Sequence, residues 1–206
     1  RLLLVAGAAL VLAGGANIGL RNDADLARYA VRAAVRPVEF SGWQSSEWRG
    51  QPARRIDLVG RLKEPLTVQW AGSLPSLEQQ LLAAGWRRPR PWSGGAALSF
   101  LASAPPIDSL PVVPLLQDGL PPSLTLVHPM DDGSRLVLWL WASSITTAVP
   151  GGGAQPIWIG SVVAQRTETL LSLFTVPVVQ SDANRPRQVL ARAMPNVRRV
   201  SRGADS

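Results

Sequence analysis

The sequence predicts an α+β fold: a mainly antiparallel β-sheet with two or three helices, preceded by an N-terminal transmembrane helix. Three observations predict it. The stretch from Leu2 to Leu20 carries no charged residue. From Phe40 onward, short runs rich in Val, Ile, Leu and Trp alternate with turns containing Gly or Pro, the pattern of half-buried strands. Two further segments, 75–85 and 185–193, read as helices closed by Gly85 and Pro195.

The apolar stretch comes first. At helical rise, residues 2–20 extend about 28 Å, close to the hydrocarbon thickness of a bilayer. A cleavable signal peptide is the competing reading, with Ala13 to Ala16 imitating its small-residue site. Its apolar core is normally shorter, about 7–15 residues, so the length favours a span. Gly7, Gly14 and Gly15 would let a second helix approach closely. The chain begins with Arg1 and not Met, so upstream residues are expected, and this span could be the last of several. Arg21, Arg28, Arg32 and Arg36 follow, where basic side chains meet lipid headgroups. They favour a cytoplasmic C-terminal side, but that bias compares two flanks and only one is in hand. Residues 24–35 read as a short helix stopped by Pro37, either amphipathic on a membrane surface or a plain connector. The organisation is then a span over 1–20, a basic connector over 21–39 and one soluble domain over 40–203.

Within that domain, strands are expected at 54–61, 66–72, 97–103, 123–128, 134–142 and 157–165, with a further one at 196–201. Asp131, Asp132 and Gly133 form a hairpin signal joining the fourth and fifth runs. The fifth run is apolar on both faces, as a central strand would be. In the first helix, Ser76 and Gln79 suit a capping box, and Leu77, Leu81 and Ala84 share a face. A strand at 66–72 leading into this helix should bury Trp70 and Leu81 together. Residues 150–156 (PGGGAQP) read as a loop.

Composition limits the chemistry. The absence of cysteine removes disulfides and thiolate metal sites. Net charge is +7, and Lys63 is the lone lysine among 21 basic residues. A basic balance suits nucleic acid or an anionic membrane, although a GC-rich genome gives the same Arg and Ala bias. Nucleic-acid binding would need a recognisable module with interleaved aromatics, and none is visible. His128 is the single histidine, and no Ser elbow, HExxH or phosphate loop is present. Gly151 to Gly153 lack the Lys and helix start that a phosphate cradle needs. No catalytic residue, metal ligand or cofactor is therefore assigned. Asp118, before Gly119 and after the Pro-rich stretch 110–116, lies on a loop where binding residues collect. Among eight tryptophans, Trp92 stands in a loop context suited to contact a headgroup or partner. Asp118, Trp92 and Arg135 are the candidate ligand-binding residues.

Several segments resemble one family. PLTVQWAGSLPSLEQQLLAAGW (65–86) is similar to the signature of the LssY C-terminal domain, with Gln-Trp-Ala-Gly before a helix ending in Gly-Trp. WRGQPARRIDLVGR (48–61), LPVVPLLQDG (110–119), SRLVLWLWAS (134–143) and PIWIGSVVAQR (156–166) follow in the same order. Gln117 stands where the resemblance leads one to expect His, and Trp139 where it leads one to expect Arg. The resemblance implies a bacterial membrane context, behind a single span or behind DedA-like or type 2 phosphatidic acid phosphatase-like regions. It supplies no catalytic residue to carry over. The expected role is a non-catalytic, membrane-anchored accessory or binding domain. Its partners would be membrane lipid, another membrane protein or the upstream membrane region, and not nucleic acid. The alternative is a hydrolase of lipid or cell-envelope phosphate esters centred on Asp118 and several arginines.

Overall fold

The computed structural model describes residues 35–93, 99–102, 105–148, 153–170 and 174–195. Two strands organise it. Both β6 (Arg135–Ala148) and β7 (Ala154–Leu170) are long, and they pair antiparallel along most of their length. The free edge of β6 receives two short strands end to end, β5 (Leu124–Pro129) antiparallel and β1 (Arg36–Val38) parallel. The free edge of β7 likewise takes β4 (Val68–Ala71) and β8 (Phe174–Val179), both antiparallel. A separate hairpin joins β2 (Arg54–Ile56) to β3 (Leu62–Pro65). The architecture is α+β with a mainly antiparallel sheet, as the sequence predicts, and the fifth apolar run is its central strand.

Strand periodicity gives the sheet two faces. On the first, Leu136, Leu138 and Leu140 join Leu126, Val162 and Ala164. Helix α2 (Leu74–Ala83) lays Leu77 and Leu81 on them, and α3 (Asn184–Ala193) adds Leu190. Leu81 is fully buried, and Trp70 is half-buried against the same cluster. On the second face, Val137, Trp139, Trp141, Ile159 and Val163 pack against Leu66 and Val112. Helix α1 (Phe40–Ser45) reaches this face through Gln69, whose amide accepts from Trp43 Nε1 at 3.0 Å and donates to the Trp48 carbonyl at 2.8 Å.

Several local expectations are corrected. The run 54–61 is a strand only to Ile56, because Asp57 Oδ1 accepts from the Val59 and Arg61 amides and turns the chain. Helix α2 is capped by Ser73, three residues earlier than Ser76, since Pro75 already suits the first turn. In the run 97–103 the described part is a 3-10 turn, Ser99–Leu101. Strand β7 starts at Ala154, inside the segment expected to be a loop. Strands β1, β3 and β8 and helix α1 have no counterpart among the sequence expectations. The anticipated strand at 196–201, the span at 2–20 and most of the helix at 24–35 lie outside the described residues. Among the described residues, no helix is long and apolar enough to cross a membrane.

Candidate functional site

Two of the three sequence candidates, Arg135 and Trp92, bind one segment that covers the second face of the sheet. Arg135 opens β6 directly opposite Gln165, and its guanidinium runs under the Pro-rich segment. Nη1 donates to the carbonyls of Ile107 at 2.9 Å and Leu110 at 2.6 Å, and Nη2 to that of Pro111 at 3.4 Å. Nε donates to Gln165 Oε1 at 3.1 Å. At 2% exposure, this cation is enclosed by neutral dipoles; burial lowers its pKa to about 10, against the opposing charge of Asp108. Trp92 Nε1 donates to the next carbonyl along, Val112, at 2.7 Å, while its ring stacks on Phe100. Both residues therefore fasten one strap, residues 107–112, across the sheet.

Asp118 lies further along the same strap and does not join them. Arg55, itself buried and paired with Glu64, donates to the Leu116 carbonyl at 2.6 Å. Gln117 Oε1 accepts from the Ile56 amide at 2.9 Å, and the Asp118 amide donates to the Ile56 carbonyl. Asp118 and Gly119 have φ of 49° and 78° between the bridged Gln117 and Leu120, as a tight Asp-Gly hairpin turn requires. Its exposed carboxylate thus follows from turn geometry. Of the four basic connector residues, Arg21, Arg28 and Arg32 lie outside the described residues. Arg36 pairs with Glu47 at 2.7 Å on the surface.

A concave surface lies on the other face of the sheet. A half-open cleft of about 410 Å³ lies between the end of α2, the β5–β6 hairpin and α3. Trp86, Pro129, Met130 and Val189 line it, with His128, Asp131 and Arg192 as its polar members. Gly85, at φ +88°, ends α2 and turns Trp86 inward, where its ring meets that of His128 at 5.3 Å between centroids. A Cβ at residue 85 would make only ordinary contact with His128 Cε1, at 3.4 Å, so it is the positive φ that calls for glycine here. Val189 and Arg192 project from one face of α3, and Asp132 fixes that helix. Its carboxylate accepts from Arg185 at 2.5 Å, Arg166 at 3.3 Å and the Ser134 hydroxyl at 2.5 Å. The Ser134 hydroxyl first, then Arg185 and the Ser134 amide, hold the Asp132 pKa well below the ordinary carboxylate range. In the sequence His128 stands only as a lone histidine; the segments that join it, 84–86 and 189–193, are linked to it by no local motif.

This cleft offers an apolar wall and one charge of each sign. It can take an aliphatic or aromatic group whose polar end reaches Arg192. Among the described residues, no group of three His, Asp or Glu could hold a metal ion. The family described as the LssY C-terminus matches residues 48–204. The chain belongs to the LssY C-terminal family. No curated protein and no solved structure matches it.

The matched span runs from Trp48 through α3, so both the strap and the cleft belong to the LssY C-terminal domain. The Gln-Trp-Ala-Gly run has a physical reading within it. Gln69 ties down α1, and Trp70 packs on the helix-side core. Gly72, at φ +144°, turns the chain into α2 while its carbonyl accepts from Trp158 Nε1 at 3.0 Å.

Proposed function

We propose that this LssY C-terminal domain is a non-catalytic accessory or binding domain, held at a bacterial membrane by the apolar segment 2–20. Its cleft would dock a partner or a lipid-linked ligand. One observation carries the reading: the polar groups best suited to chemistry are spent on the fold. Arg135 serves four acceptors, Arg55 and Gln117 clamp the strap, and Asp132 anchors α3. Acid–base or phosphoryl chemistry needs such groups convergent on a ligand. The cleft instead offers apolar surface around His128, with Arg192 and Asp131 exposed.

Two measurements test this. Full chain in membranes should resist carbonate extraction, and extraction would remove the tether. A short-chain phosphatidic acid, titrated as probe, should perturb the Trp86 and His128 resonances and do so less in Arg192→Ala. Turnover of that probe, lost in Asp118→Asn, would favour a hydrolase of phosphate esters instead.

A further inference from the structure

The β2–β3 hairpin carries its apolar residues at the wrong end for a soluble protein. Turn centres normally hold Gly, Asn, Asp or Ser, which tolerate the geometry and face water. Here the turn from Asp57 to Gly60 places Leu58 and Val59 at its centre, at 67% and 71% exposure. Leu62, the first residue of β3, is 65% exposed. These are the three most exposed large apolar residues among those described. Around them stand the exposed Arg54 and Arg61 and the half-buried Lys63.

The turn is also preorganised. Asp57 Oδ1 accepts from two backbone amides, and Oδ2 lies 3.5 Å from Lys63 Nζ. Hydrogen bonding to the Arg61 amide, foremost, lowers the Asp57 pKa. The one acidic group of the tip is therefore occupied within the turn. At the hairpin's base Arg55 pairs with Glu64, which leaves Arg54 and Arg61 as the outward charges, with Lys63 shared with Asp57.

We infer that this hairpin tip is a second membrane contact, inserting Leu58, Val59 and Leu62 into an anionic lipid leaflet while Arg54 and Arg61 engage its headgroups. A protein partner would need a concave pocket for a protruding turn. A fluid anionic interface needs only apolar side chains ahead of basic ones, and that is the charge arrangement present. The inference rests on the membrane-tethered reading for bringing a bilayer within reach. Each exposed apolar side chain should favour insertion about tenfold, and each cation about fivefold.

The absence of cysteine makes a site-specific test direct. Full-chain Val59→Cys, labelled with an environment-sensitive fluorophore, is reconstituted into vesicles of phosphatidylglycerol and phosphatidylcholine in equal parts, or of phosphatidylcholine alone. Gln79→Cys, on the exposed side of α2, is the control. In the anionic vesicles the label at 59 should shift to the blue, be quenched by nitroxide lipid and resist iodide. Leu58→Ser should lower the inserted-to-exposed ratio about tenfold, and Arg61→Ala about fivefold. Neutral vesicles should resemble the arginine variant, and the label at 79 should stay in water throughout. Vesicles that retain the chain while iodide quenches position 59 freely overturn the inference alone. Insertion of the label in a chain that carbonate extracts overturns the tether and leaves the tip standing. Shielding from both quenchers that rises with protein concentration marks contact with a second copy, and overturns the lipid assignment.

Discussion

The two faces of one sheet are held by different physics. On the helix-covered face, leucines from β6 meet leucines from α2 and α3, and cohesion follows the apolar area removed from water. On the strap-covered face, a Pro-rich segment without regular hydrogen bonding of its own is fastened by side chains. Arg135, Trp92, Arg55 and Gln117 supply, one after another, what the backbone of residues 107–118 lacks. The first face should tolerate changes of shape that keep volume. The second should be sensitive to bond geometry even when volume is kept.

The largest effect should come from Arg135→Met, which keeps much of the side-chain volume but leaves the carbonyls of Ile107, Leu110 and Pro111 without their donor. Stranding buried acceptors in this way should cost about 3–5 kcal/mol, read from urea denaturation. A cost near that of a surface substitution would break the comparison. On the helix face, Leu81→Ala should cost about 3 kcal/mol by the same measurement, whereas Leu81→Met should cost below about 1.5 kcal/mol. If Leu81→Met were as damaging as Arg135→Met, the two faces would not differ in kind.

Gly160 tests where the faces are joined. A Cβ there would stand 2.5 Å from the Trp139 carbonyl oxygen and overlap the Leu140 side chain. Gly160→Ala should therefore cost about 1–3 kcal/mol through overpacking, visible as a lower denaturation midpoint. The smallest effect concerns acid. Asp132 has its pKa depressed in the fold, so its contribution is present above its ordinary pKa of 3.8 and is lost as pH falls below that value. Stability of Asp132→Asn should fall less steeply on acidification than that of the parent; identical slopes would show that the clamp on α3 contributes nothing.

The sequence displays the helix face better than the strap face, for the same reason. Apolar periodicity reports burial against a neighbour, so α2, its Gly85 stop and the central run of β6 can be read from local pattern. The turn at Asp131–Gly133 is legible too, because Gly133 meets its positive φ of 73°. Arg135 stands among the ligand-binding candidates of the sequence, yet it is buried in the fold. Its burial depends on Gln165 across the sheet and on carbonyls more than twenty residues away. Strand β8 escaped notice because Pro177 interrupts its apolar run, although it pairs on the sheet edge. The cleft was legible only as a lone His128. Trp86 reaches it through the helix stop, and α3 arrives from the far end of the described chain.

The long β6–β7 pair has a consequence for the order of assembly. Its two strands are neighbours in sequence, so their pairing closes a short loop, whereas β1 and β4 arrive from far upstream in the chain. Each outer strand hydrogen-bonds to this pair and none to another outer strand. The pair is then a template that must form before the edges have anything to bind, and the transition state for folding should contain it. Truncation at Val137 or Val163 should slow refolding. Truncation at Val38 should leave refolding unchanged and speed unfolding, so that the sheet frays from its edges toward its centre.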